Sequence, residues 1–134
     1  MKKLLLLLSV FFMLSCTSED EYDSSGSNGN HATRISPPEW IIGKWKNEEG
    51  IVLQFTKSDL IIINSTGYQS SVSYGIDYWE EKGNDVELVE TKTEDSYIFE
   101  YRDAASTKQY FNFVKTSDTQ MGSKRFYKGN YTKL

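Results

Sequence analysis

One cysteine, one histidine and two prolines are all that the 134 residues contain of these types. A lone thiol cannot form an intramolecular disulfide, so whatever folds must do so on its apolar core. His31 sits in a stretch of serine, glycine and asparagine, and from Trp40 onward there is neither histidine nor cysteine. That excludes thiol nucleophiles, histidine-based triads and imidazole or thiolate metal centres from the region. No phosphate-cradling glycine loop and no calcium loop of alternating acids is present, so no cofactor and no metal are expected. Positive charge is not in excess either. The chain carries a formal net charge of −4, and from Trp40 onward twelve basic residues face fourteen acidic ones. A duplex-binding face neutralises phosphates with many clustered cations, so nucleic acid is not an expected partner. Nor is there an apolar run long enough for a membrane span. The longest, Leu4 to Leu14, has eleven residues, about half of the ~20 that a transmembrane helix needs.

That run follows Lys2 and Lys3 and ends at Ser15, the order of an export signal: charge, apolar stretch, small residue. Cys16 comes next, and Ser18, Glu19, Asp20 and Glu21 follow at once. A signal placed directly before a cysteine resembles the lipoprotein signal of bacteria. The resemblance implies removal of residues 1–15 and acylation of Cys16, with the outer membrane as its partner through the acyl chains. Several chains on one residue supply the anchoring that a single chain cannot. The serine-plus-acid run is similar to the surface-export signal of Bacteroidota lipoproteins, which implies display on the outer face of the outer membrane. Without the two lysines the net charge is −6. Residues 16–36, rich in Ser, Gly, Asn and acids, bury too little to order themselves and read as a tether. Pro37 and Pro38 stiffen its end and mark the start of a domain over residues 37–134.

About 95 residues remain from Trp40, enough to bury somewhat over ~60% of the unfolded surface in one core. Their pattern has period two, broken by turn residues at short intervals. Gly50 to Thr56 and Asp59 to Ser65 read as strands. Tyr68 to Trp79, YQSSVSYGIDYW, alternates most clearly of all. Asp85 to Thr91, Ser96 to Asp103, Lys108 to Lys115 and Lys124 to Lys133 follow, and Gly43 to Asn47 stands in front. Gly83-Asn84 is the strongest turn signal. About eight consecutive antiparallel strands must protect their edges, and closing on themselves is the economical way. The expected fold is therefore all-β, an antiparallel up-and-down barrel of about eight strands.

The opening PPEWIIGKW, Pro37 to Trp45, resembles the start of a lipocalin-like (calycin) barrel, where a short helical turn leads into Gly-x-Trp. The resemblance implies that Gly43 lets the turn pack closely and that Trp45 plugs the barrel end. It also implies a cation from the last strand laid across the indole, Arg125 or Lys133. The domain is shorter than a typical lipocalin and lacks the usual disulfide, so it is more similar to the small lipocalin-like domains of bacterial lipoproteins.

Sixteen of the nineteen aromatic residues lie from Trp40 onward. Alternation points Tyr74, Tyr78, Tyr97, Phe99, Tyr101, Phe111 and Phe113 inward. The phenylalanines read mainly as core. A buried tyrosine hydroxyl needs a partner, so inward tyrosines imply internal polar groups, water or a ligand. Tyr74, Tyr78, Tyr97, Tyr101 and Phe113 are accordingly candidates for lining a pocket for a small amphipathic molecule or glycan fragment. The carboxylates Glu87, Glu90, Glu100 and Asp103 read as outward, solvated charges rather than a hydrolytic pair. The expectation is a non-enzymatic binding module. The alternative is an inhibitor or accessory subunit of a surface protein complex, with a solid barrel and working loops. A cavity in the barrel separates the two.

Overall fold

The computed structural model describes residues 34–102 and 107–134. The export signal, Cys16, the run from Ser18 to Glu21, His31 and Asp103 lie outside the described residues.

Nine strands form one antiparallel sheet: β1 (Gly43–Lys46), β2 (Val52–Phe55), β3 (Leu60–Ile63), β4 (Gln69–Ser71), β5 (Leu88–Lys92), β6 (Ser96–Arg102), β7 (Lys108–Lys115), β8 (Gln120–Ser123) and β9 (Gly129–Lys133). Their spatial order is β4-β3-β2-β1-β9-β8-β7-β6-β5. The first and last strands pair, Trp45 opposite Lys133 and Lys46 opposite Thr132. The sheet nevertheless stays open, because β4 and β5 form its two ends and are joined by a helix, α1 (Val72–Glu81), instead of hydrogen bonds to each other. The molecule is a curled half-barrel, not a closed barrel of eight strands.

The helix stands where the clearest alternation in the sequence predicts a strand. Its period is hidden in the same residues: Val72, Ile76 and Trp79 fall at i, i+4 and i+7, and the first two are buried. Local polar chemistry then decides. The Ser71 hydroxyl accepts from the Tyr74 N–H at 3.0 Å and donates to Asp59 Oδ2 at 2.6 Å. Asp59 Oδ1 accepts from the Ser73 N–H at 2.9 Å. A capping serine and a carboxylate at the positive end of the helix satisfy its first free donors. At the other end Gly83 takes φ +80°, and the Asn84 backbone and side-chain nitrogens each donate to the Trp79 carbonyl at 3.1 Å.

The last predicted strand also divides. Residues 124–128 form a loop, only Gly129–Lys133 is strand, and β8 precedes it. Alternation could not find β8, because Gln-Met-Gly-Ser offers one apolar side chain.

The core gathers on the concave side. Trp45, Leu53, Phe55, Leu60, Tyr97, Phe99, Phe111, Phe113, Met121 and Tyr131 are all buried there. Burying such a side chain is worth roughly 1.5–3 kcal/mol. Ile35 belongs to the same cluster and is 0% exposed. It comes from residues that composition assigns to the tether. On one side of it Arg34 Nη2 bonds Asp77 Oδ2 of α1 at 2.9 Å. On the other side the Ser36 N–H and hydroxyl donate to the two oxygens of Glu90 in β5, each at 2.9 Å. Residues 34–36 thus form a strap between α1 and the edge strand β5.

Candidate functional site

Trp45 is buried where β1 meets β9 and the 3-10 turn before it. Its indole N–H donates to the Ile41 carbonyl at 2.7 Å, which ties β1 to the 3-10 turn Glu39–Ile41. The cation over the ring is Lys133, with Nζ 5.1 Å from the ring centroid. Arg125 is not that cation. It lies on the loop before β9, 5.7 Å from the centroid of Tyr110. The register explains the choice, since Lys133 is the direct cross-strand neighbour of Trp45. Gly43 has two reasons to lack a side chain. Its φ is +125°, and a Cβ would come within 3.2 Å of Lys133 Cε.

The residues proposed to line a lumen separate into two groups. Tyr97 and Phe113 are buried, and Tyr101 is partly buried against the core. Tyr74 and Tyr78 lie on the outer side of α1, 70% and 43% exposed. They leave the interior because a helix, unlike a strand, carries i and i+4 to one face; Val72 and Ile76 hold the inner one.

Aromatic rings pack against one another in the core. Phe99 and Phe111 stack with centroids 4.4 Å apart and planes 13° apart, and Phe55 meets Phe113 edge-on at 5.0 Å. Tyr97 joins Phe99 at 5.3 Å, and Tyr101 stacks on Phe111 at 6.4 Å. Pairs of this kind add ~0.5–1.5 kcal/mol each beyond area burial. The hydroxyls of both fully buried tyrosines find protein acceptors. Tyr97 donates to Glu90 Oε1 at 2.6 Å, and Tyr131 donates to the Tyr127 carbonyl at 2.8 Å. Burial pushes the Tyr131 hydroxyl up to about 12. Tyr97 rises further, first by burial and then by the adjacent Glu90 carboxylate.

Glu90 is the site residue that the sequence reading misplaced. It faces inward beside Phe99, its cross-strand partner. Burial pushes its carboxyl up. The Ser36 N–H, the Tyr97 and Ser36 hydroxyls and the Lys92 ammonium together outweigh burial and hold it below the ordinary glutamate value. The signal was present: Leu88 and Glu90 share parity on one strand, so an apolar inward Leu88 takes Glu90 with it. Glu87 and Glu100 do not join Glu90. Glu100 lies on the opposite face of β6 and pairs with Lys108 at 2.5 Å.

The outer surface is less uniform. A cleft of about 660 Å³ borders Lys46, Gln120, Met121, Asn130, Thr132 and Leu134, a lining of mixed polar and apolar side chains. A second concavity of about 430 Å³ is lined by Lys108, Tyr110 and Arg125. Beside it Phe126 packs on Phe111 at 4.9 Å while remaining 38% exposed. No group of three or more His, Cys, Asp or Glu residues among those described is arranged to hold a metal ion.

No protein-family model, no curated protein and no solved structure matches this chain.

Proposed function

We propose that this protein is a non-enzymatic recognition module, held at the outer membrane by acylated Cys16 and displayed on the cell surface, which binds with its outer faces rather than in a lumen. The anchoring part of the reading rests on the order of charge, apolar run, cysteine and acid run in residues 1–23. The recognition part rests on one observation. The two fully buried tyrosines, which would signal a ligand if their hydroxyls lacked partners, already donate to Glu90 and to the Tyr127 carbonyl. A hydroxyl so satisfied asks for no guest. In the core the rings of Tyr97, Phe99 and Phe111 pack against one another. Exposed aromatic surface lies outside, at Tyr74 and Tyr78 on α1 and around Phe126 and Tyr127. Such positions suit a surface protein complex or a glycan better than an enclosed small molecule.

The test uses producing cells. A photo-crosslinking phenylalanine analogue is placed in turn at Tyr78, at Tyr110 and at the buried Phe113. Discrete high-mass adducts are expected from positions 78 or 110, none from 113, and all are expected to disappear when Cys16→Ala releases the protein from the membrane fraction. Adducts from position 113 alone contradict the reading, as does unchanged membrane partitioning of Cys16→Ala.

A further inference from the structure

We infer that the outer concavity formed by Lys108, Tyr110 and Arg125 is a binding site for an acidic sugar residue, a ring bearing a carboxylate. The inference deepens, and rests on, the reading that recognition occurs on the outer surface.

Topology assembles the site. β6 ends, β7 begins and β8 ends at the same end of the sheet, so the loop over residues 124–128 lies beside the top of β7. Cross-strand pairing sets Glu100 opposite Tyr110 and Arg102 opposite Lys108 on the outer face. Arg125 then leans over Tyr110 at 5.7 Å, and Lys108 Nζ lies 5.8 Å from the same ring. Two cations, Lys108 and Arg125, meet at this corner of a chain that is acidic overall. Lys108 is matched by Glu100. Arg125 has no carboxylate partner among the described residues, and its guanidinium lies over the Tyr110 ring, 5.7 Å from the centroid, so its N–H fork is left for a bidentate acceptor.

The loop is built to hold that geometry. Tyr127 adopts φ +48°, a left-handed conformation that residues with a side chain rarely take. Two hydrogen bonds fix it there: the Ser123 hydroxyl donates to the Phe126 carbonyl at 2.6 Å, and the Tyr131 hydroxyl donates to the Tyr127 carbonyl at 2.8 Å. Both donors belong to buried residues of β8 and β9. Phe126 anchors the loop on Phe111, and Tyr127 meets Phe126 edge-on at 4.8 Å. Backbone strain held by buried donors marks a preorganised loop. What it presents is a guanidinium without a carboxylate partner among the described residues, next to partly exposed aromatic faces at Tyr110, Phe126 and Tyr127. A carboxylate takes the fork and a pyranose face lies against a ring. Too few cations are present for a nucleic-acid backbone, and an acidic peptide would use the charge but leave the ring faces idle.

The experiment is calorimetric titration of the purified protein with an oligogalacturonate, a heparin-derived oligosaccharide and a neutral cello-oligosaccharide. The oligogalacturonate is expected to bind and the neutral chain not to. Arg125→Ala is expected to weaken binding by roughly tenfold or more, and Arg125→Lys to restore only part of it, since a lysine keeps the charge and loses the fork. Tyr110→Ala is expected to weaken it as well. Near-ultraviolet circular dichroism identifies any variant that has lost its fold. Where Tyr110→Ala has, Tyr110→Leu, which keeps bulk but not the ring, replaces it. The proposal is overturned by equal affinity for the neutral chain, by oligogalacturonate binding that Arg125→Ala leaves unchanged, or by no binding of the oligogalacturonate. It is also overturned if only heparin binds and Tyr110→Ala does not matter, which is plain ion exchange. Surface crosslinks at Tyr78 or Tyr110 without oligogalacturonate binding sink this proposal alone; loss of both sinks the outer-surface reading with it.

Discussion

Glu90 and Tyr97 show how one polar pair can sit at the edge of an aromatic core. The carboxylate has four favourable neighbours, namely the Ser36 N–H, the Tyr97 and Ser36 hydroxyls and Lys92, and its pKa is lowered in spite of burial. A lowered carboxylate pKa contributes stability that is present above the ordinary value of 4.5 and is lost as pH falls through the folded-state value. The raised Tyr97 hydroxyl contributes in the opposite sense: its share is present below the ordinary value of 10.0 and fades as pH rises above it. Thermal denaturation across pH should therefore fall off on acidification below about 4.5 in the native protein and much less in Glu90→Gln. Tyr97→Phe should cost about 1–3 kcal/mol near neutrality, because it strips a donor from a partly buried carboxylate. Equal acid sensitivity in Glu90→Gln would contradict this assignment. The pair was half legible. Tyr97 reads as inward from alternation alone. Glu90 shares its parity with Leu88, but a glutamate between threonine and valine reads first as solvent-facing, and only the strap of residues 34–36 supplies the partners that let it turn in. Composition hides that strap, since Arg-Ile-Ser continues a serine-rich tether with one apolar residue.

At the scale of elements, strands with an apolar pattern could be read directly: β2, β6 and β7 lie within the segments that alternation marks, and β3 lies within Asp59 to Ser65, a run apolar on both faces. α1 could not, because YQSSVSYGIDYW satisfies periods of two and of 3.6 together. Polar partners decide between them, and Asp59, twelve residues before Ser71, is invisible to a local pattern. Ser71→Ala should accordingly destabilise the protein by about 1 kcal/mol through loss of the cap. Ile76→Ala should cost about 2–5 kcal/mol, a buried large-to-small change. On a strand with the predicted parity, Ser71 would be a solvent-facing residue of little energetic consequence. Denaturant melts of the two variants check this, and a Ser71→Ala effect within error of zero would contradict the capping geometry. The strap makes a parallel prediction. Ile35→Ala should cost about 2–5 kcal/mol in the same melts, whereas a residue of a free tether would cost nothing.

For the molecule as a whole, pairing of the first and last strands was foreseeable from a meander, and β1 and β9 do pair. Closure was not, because it depended on Tyr68 to Trp79 being a full strand. With a three-residue β4 and a helix in its place, the sheet ends at β4 and β5. α1 and the strap lie between those edges and give them the cover that exposed edges require. The Gly43, Trp45 and Lys133 corner was legible except for which cation covers the indole, a matter of register that only pairing resolves. The surface site at Tyr110 was not legible at all, since its parts come from β7 and from a loop read as strand. Everything proposed about recognition depends on the interior being occupied by the protein's own rings. The most direct measurement titrates the purified protein with a lumen probe, 1-anilinonaphthalene-8-sulfonate, and with a long-chain fatty acid, following tryptophan emission and heat. The packed rings predict no saturable uptake of either and an unchanged Trp45 environment; a one-to-one complex that Phe99→Ala or Phe113→Ala abolishes would contradict them.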